Sequence, residues 1–251
     1  MDEACAVPVE GWDFSWLDGR ATEQRPSWGY QRLLGAKLAT ARAALDIQTG
    51  GGEVLAGVGA DNFPPTLVAT EGWPPNVAKA TALLHPLGAV VVADDEKPPL
   101  PFADNAFDLV TSRHPATVHW SEIARVLAPG GSYFAQHVGG RTNVEISEYF
   151  LGPYDPSGRR DHEAEADQAR AAGLQVLLCL NERLRLEFFD IGAVIFFLRN
   201  VVWTVPDFTV DRYRARLQEL HDQIARDGVF RSTMSRTLLE ALKPPNGAGD
   251  A

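Results

Sequence analysis

From about Ala43 the chain alternates short apolar runs with segments whose apolar positions recur at helical spacing. "AALDI" reads as a strand, "GEVLAGVGA" as a helix and "PTLVATE" as a second strand. "NVAKATALLHPLG" follows as a helix stopped at Gly88, then "AVVVADD" as a strand. "FDLVTS", the helix "HWSEIARVLAPGG" and the strand "SYFAQHV" complete the series. Apolar strands separated by helices predict an α/β fold, with a mostly parallel sheet covered by helices on both faces.

The flanks read differently. Residues 1–42 are rich in aromatics (Trp12, Trp16, Trp28, Tyr30) and form an expected N-terminal cap, helical through "YQRLLGAKLATAR". In the last third, "LQVLLCLNERLRLEFFD" and "TLLEALKP" read as strands. Between them Val210, Tyr213, Leu217, Leu220 and Ile224 mark a helix stopped at Gly228. The organisation expected is a domain over 43–244 with a cap insertion at about 186–230, then a flexible tail at 245–251.

Composition narrows the partners. The net charge is −10, and "GRR" at residues 158–160 runs straight into "DHEAEAD", so no basic block offers itself to nucleic-acid phosphates. A small-molecule partner is expected instead. "IGAVIFFL" falls well short of the roughly 20 apolar residues of a membrane span; if exposed, it would offer a partner surface. Cys5 and Cys179 do not make a disulfide framework, and "MDEACAVPVEGW" has no apolar secretory core, so a cytoplasmic location is expected.

The chemistry starts at "ALDIQTGGGEVLAG". Glycines between a strand and a helix allow positive φ and close approach of a ligand to the backbone. Counted from Gly50 and Gly52, the third position of the dinucleotide fingerprint G-x-G-x-x-G is Leu55, so that fingerprint is not met. Asp46 agrees. A carboxylate within about 4 Å of a pyrophosphate costs several kcal/mol at an effective dielectric near 20, but it suits a cofactor bearing an ammonium group.

At these residues the chain resembles the class I S-adenosylmethionine (SAM)-dependent methyltransferases. Their first motif, acid-x-Gly-x-Gly-x-Gly, is matched by Asp46, Gly50 and Gly52, with Gln48 in place of the first glycine. Glu71 in "LVATEGW" stands where the family has the acid that receives the ribose hydroxyls. "ADDEKPPLPFADNAFDLVTS" matches the adenine-side stretch, with Asp94 or Asp95 as its acid, and "RVLAPGG" matches the helix end before strand five. The resemblance implies a Rossmann-like sheet of seven strands with antiparallel closing strands. It implies SAM as cofactor, S-adenosylhomocysteine as product, and cofactor contacts from Asp46, Gln48, Thr49, Gly50, Gly52, Glu71, Gly72, Trp73, Asp94, Asp95, Ser112 and Arg113. Trp73 would lie along the adenosine.

His114, in "SRHPATVHW" after strand four, and His137, at the end of strand five, are the candidate bases for a hydroxyl or amine acceptor. Metal-ligand spacing and a G-x-S-x-G elbow are both absent from the sequence. The function expected is methyl transfer to the O or N of a small molecule. A non-catalytic SAM-binding scaffold or sensor, a nicotinamide-dependent oxidoreductase and an RNA methyltransferase are the alternatives.

Overall fold

The structure, a computed structural model, describes residues 1–9, 13–153, 155 and 160–245. Trp12, the "GR" of the "GRR" stretch and residues 246–251 of the expected tail lie outside the described residues. The helices are α1 Asp2–Ala6, α2 Tyr30–Leu38, α3 Glu53–Ala56, α4 Pro74–Leu84, α5 Trp120–Val126, α6 Val144–Leu151, α7 His162–Ala171, α8 Ile191–Asn200 and α9 Arg214–Asp227. The strands are β1 Ala21–Glu23, β2 Ala43–Ile47, β3 Thr66–Glu71, β4 Val90–Ala93, β5 Phe107–Arg113, β6 Leu127–Val138, β7 Gln175–Phe188 and β8 Phe230–Leu242.

The strands form one sheet of eight in the order β1-β7-β8-β6-β5-β2-β3-β4. β2 to β6 pair in parallel, whereas β8 pairs antiparallel with β6. The eighth strand, beyond the seven expected, is β1, which pairs antiparallel with β7. Because successive strand residues face opposite ways, each central strand feeds two cores. Leu45, Val110 and Tyr133 pack with Trp120, Ile123 and Ala169 of α5 and α7, while Ala44, Leu109 and Phe134 pack with Leu34, Leu38, Leu55 and Leu84 of α2 to α4. Both faces are dry, which is why these strands read as continuous apolar runs.

Three local expectations shift. The helix expected over "GEVLAGVGA" is the four-residue α3, capped at Gly57, and Gly59 at φ +88° then leads into a short 3-10 turn over Ala60–Asn62. The "RVLAPGG" helix stops at Val126, and Leu127 to Gly131 already belong to β6. Room is tight there, because a Cβ on Gly131 would meet the Ala128 carbonyl oxygen at 2.9 Å. "TLLEALKP" is the end of a strand that starts at Phe230.

The chain divides into two compact units. Residues 26–138, 160–182 and 236–251 form one; residues 1–25, 139–159 and 183–235 form the other. The second has its own core, in which the whole apolar face of α8 is buried with Ile146, Phe150, Leu217, Leu220 and Ile224. "IGAVIFFL" is therefore core, and no helix among the described residues is long and apolar enough to cross a membrane. Asp190 caps α8 by accepting from the Ala193 N–H at 3.0 Å. It also takes Nε and Nη2 of Arg20 at 2.8 and 2.7 Å, and that guanidinium lies 3.7 Å from the Trp16 ring. Asp190→Ala removes both the cap and the Arg20 partner. A loss of about 2 kcal/mol is expected in urea unfolding followed through this unit's tryptophans, against a small change for Asp190→Asn, which retains a capping oxygen.

Candidate functional site

β2 is flanked by β3 on one side and β5 on the other, so the direction of strand addition reverses there. In open α/β sheets, the crevice at the carboxyl ends of such strands is where ligands bind. The loop leaving β2 places Gln48, Gly50 and Gly52 at φ +57°, +66° and +83°. Gly52 is required sterically as well, since a Cβ would meet Leu84 of α4 at 3.0 Å; around Gly50 the space is open. The end of β3 holds the loop in place. Thr49 N–H donates to the Thr70 carbonyl at 2.9 Å, and Gly50 N–H donates to Glu71 Oε2 at 2.8 Å.

Four carboxylates face different environments. Glu71 is buried and also accepts from the Trp73 N–H at 2.9 Å, while the Trp73 ring is 47% exposed at the start of α4. Asp46 is buried at the end of β2 and accepts from Thr111 Oγ1 at 2.6 Å. Burial pushes its pKa up to about 6 against the hydrogen bonds of Thr111 and Thr49 and the nearby Arg113. Asp94 lines a cavity of about 20 Å³, and its buried Oδ2 has no hydrogen-bond partner among the described residues. Burial, then the charge of Asp95, raises its pKa. Asp95 itself is exposed and paired with Lys97 at 2.9 Å. Gly72 must be glycine for packing, because a Cβ there would stand 2.9 Å from the Asp94 carbonyl oxygen. Ser112, which also lines the cavity, ties β5 to β2 by donating to the Ile47 carbonyl at 2.9 Å; the next residue, Arg113, is exposed.

The two histidines occupy different networks. Trp28 Nε1 can only donate, and it donates to Gln136 Oε1 at 2.8 Å. Gln136 Nε2 must then donate to His114 Nε2 at 2.9 Å. The ring nitrogen a base would use is thus engaged, and burial followed by the Arg113 and Arg236 charges holds the imidazole pKa well below its usual range. His137 is fully buried. Its Nδ1 donates to the Glu165 carboxylate at 3.0 Å, which leaves Nε2 to accept from Tyr133 Oη at 3.0 Å. Tyr133 lines the cavity, whereas His137 stands behind it. His119, expected inside the following helix, sits just ahead of α5 and donates from Nε2 to the Glu96 carbonyl at 3.0 Å.

Sequence reasoning missed Tyr133, Glu165, Arg160 and Gln136. Tyr133 was recoverable from His137, since residues four apart on a strand share a face. Glu165 sits in the acidic run "DHEAEAD", where nothing distinguishes a buried glutamate from its solvated neighbours. Among the described residues no cluster of His, Cys, Asp or Glu has the geometry of a metal site.

A family model described as a methyltransferase domain matches residues 45–135, which hold the glycine loop, Glu71, Asp94, Ser112 and Tyr133. A candidate methyltransferase of Bacillus halodurans C-125 superposes with a TM-score of 0.60 at 18% identity, covering 86% of this chain and 100% of that one. The [4+2]-cyclase SpnF gives 0.53 at 22% identity, over 97% and 90%. A phosphoethanolamine N-methyltransferase of Haemonchus contortus, in complex with phosphomonomethylethanolamine and S-adenosylhomocysteine, gives 0.50 at 18%, over 87% of this chain and 53% of that one. No curated protein matches the sequence. Residues 45–135 are thus similar to a methyltransferase domain, and the sheet carrying them has the fold of the class I SAM-dependent methyltransferases.

Asp46 gives a sign-definite prediction. Its pKa is raised from 3.8 to about 6 on folding, so the native state holds the proton longer than the unfolded chain. Stability is lost as pH rises from about 4 through 6, by up to about 3 kcal/mol. Asp46→Asn is expected to melt above the ligand-free wild type at pH 7.5, with the gap closing toward pH 4, as read by thermal denaturation across that range.

Proposed function

We propose that the chain binds SAM at the carboxyl ends of β2, β3 and β4 and transfers its methyl group to an oxygen or nitrogen of a small-molecule acceptor. The observation that carries the reading is Glu71. Its carboxylate bridges the N–H groups of Gly50 and Trp73 at the end of β3 and retains lone pairs for two ribose hydroxyls. The residues present fit the group. Asp94 offers an orphaned buried oxygen at the cavity, Gly50 leaves space that a side chain would fill, and Asp46 is a buried acid that a ligand's cation would ionise.

When bound, SAM supplies an activated methyl carbon on a sulfonium, and the protein's task is alignment, which is worth roughly 7–11 kcal/mol. Asp46 meets the ammonium, Glu71 the ribose and Asp94 the adenine side, with Thr49, Gly52, Gly72, Trp73, Ser112 and Arg113 shaping the crevice. Where the acceptor must lose a proton, His137 acts through Tyr133, whose Oη donates to His137 Nε2 at 3.0 Å while Glu165 holds the ring at Nδ1. His114 serves as a positioned neutral ring. A small acceptor is supported by the net charge of −10, and the two free cysteines suit a reducing cytoplasm. A second reading, a SAM-binding module without turnover, is favoured by Gln48, whose side chain hydrogen-bonds across the loop to residues 116 and 117.

Calorimetric titration with SAM and S-adenosylhomocysteine tests the cofactor. Glu71→Gln is expected to weaken S-adenosylhomocysteine binding ten- to a hundredfold, the loss of about 1.5–3 kcal/mol of charged hydrogen bonding. In the wild type, affinity is expected to rise roughly tenfold between pH 5 and 7 as Asp46 ionises near pH 6, a slope that Asp46→Asn abolishes. Absence of binding to the intact protein would sink the reading. Turnover with an acceptor, seen as S-adenosylhomocysteine release, separates the enzyme from the module.

A further inference from the structure

One cavity lies wholly within the unit made of residues 1–25, 139–159 and 183–235. It is open to solvent and measures about 620 Å³, and its lining includes Arg183 and Arg185 of β7, Arg231 and Thr233 of β8, Gln24 and Glu145. That volume is within the roughly 300–1,000 Å³ of pockets that hold small ligands. No residue proposed to hold SAM lines it. Alternation along the strands builds it. Leu184 and Leu186 of β7 and Phe230 of β8 turn into the unit's core, so Arg183, Arg185 and Arg231 turn outward.

Three guanidiniums around one cavity repel one another unless anions offset them, and here they gather in a chain whose net charge is −10. The side chains nearby supply few such anions. Glu187 serves two of the arginines, 2.9 Å from Arg231 Nε and 3.8 Å from Arg185 Nε. Arg183 is exposed and makes no hydrogen bond or ion pair among the described residues. Glu145 is the one carboxylate in the lining, and it accepts from Thr233 N–H, Thr233 Oγ1 and Ser232 Oγ at 2.8, 2.7 and 3.1 Å. Burial raises its pKa, but those bonds outweigh burial and hold it below the usual carboxylate value, so its charge is fixed in place. Gln24 is pinned as well: its N–H donates to the Arg185 carbonyl at 2.9 Å, and its Oε1 accepts from the Arg185 N–H at 3.2 Å. The side-chain capacity left over is mostly donor, from the whole Arg183 fork, the Nη groups of Arg185 and the Gln24 amide.

We infer that this cavity is a binding site for a small organic anion, a phosphate ester or a carboxylate, whose acid group is held by Arg183 with Arg185 and Gln24 beside it. A guanidinium presents parallel N–H groups that match both kinds of oxyanion, and such bidentate pairs are among the strongest hydrogen bonds a side chain makes. Glu145, charged and fixed, disfavours a second acid next to it and accepts from a hydroxyl of the same ligand. The site stands independently of the cofactor reading, since every residue it uses belongs to the other unit.

The test is calorimetric titration of the whole protein, without SAM, using glycerol 3-phosphate and malate as probes at one fixed ionic strength, so that screening is constant. The tighter of the two tells phosphate from carboxylate. Arg183→Gln is expected to weaken that probe roughly tenfold or more, and Arg183→Lys, which keeps the charge but loses the fork, by a smaller factor. Arg183 is exposed and unpaired, so neither variant is expected to disturb the fold; Arg185→Gln is the second test and is expected to weaken the same probe. Arg226→Gln removes an equal charge from α9, outside the cavity, and is expected to leave the affinity unchanged. Equal losses in Arg183→Gln and Arg226→Gln, or undiminished binding in both Arg183→Gln and Arg185→Gln, overturn the site. Failure of both probes to bind the wild type overturns it as well, and poly-glutamate binding in their place assigns the arginines to an acidic polymer instead.

Discussion

β2 carries parallel hydrogen-bond ladders on both its edges, to β3 through residues 43–46 and to β5 through residues 44–47. That double pairing is the constraint on which the site depends. It brings the ends of three strands to one edge of the sheet, and it forces the loop leaving β2 to turn within a few residues. The turn is possible because Gly50 and Gly52 accept positive φ, and it is held because the end of β3 offers the Thr70 carbonyl and the Glu71 carboxylate to the loop's N–H groups. A loop that would otherwise expose unsatisfied donors is instead a rigid cradle.

The charged groups show how burial sorts chemically equal residues. Glu71 sits among backbone donors, Asp46 in a nearly dry position with hydroxyl partners, and Asp94 at a cavity with an oxygen to spare, while Asp95 is solvated and paired with a lysine. Low dielectric makes the unpaired buried positions costly in the free protein. A cationic, hydrogen-bonding ligand would relieve that cost. The histidines differ in the same way, since His137 bonds to the Glu165 carboxylate while burial and the charges of Arg113 and Arg236 keep His114 neutral.

Fold alone would leave the chemistry open. A [4+2]-cyclase and an N-methyltransferase both share this architecture, so reaction type is decided by the residues at the strand ends. Here those residues combine buried acids of different surroundings with a glutamine that ties the loop after β2 to residues 116 and 117.

Much of this was legible in the sequence. Alternating apolar strands and helices identified the sheet because both of its faces are dry, and Asp46, Gly50, Gly52 and Glu71 marked the loop between β2 and α3 and the end of β3 because loop geometry there is local to a few residues. The eighth strand was not legible, since three residues at 21–23 carry no pattern and are ordered only by pairing with β7. Nor was the choice between Asp94 and Asp95, adjacent acids whose exposure is set by where the chain leaves β4. Glu165 and Arg160 join His137 and residues 115–117 from far along the chain, and Gln48 acts on residues that only the β2–β5 pairing brings within reach. The sequence by itself determined the repeating α/β architecture and the glycine turn that leaves β2, because periodicity and glycine chemistry are local. Tertiary structure alone decided which acids are buried, which histidine has a carboxylate behind it and that Gln48 bonds to residues 116 and 117, because each depends on contacts between segments distant in the chain.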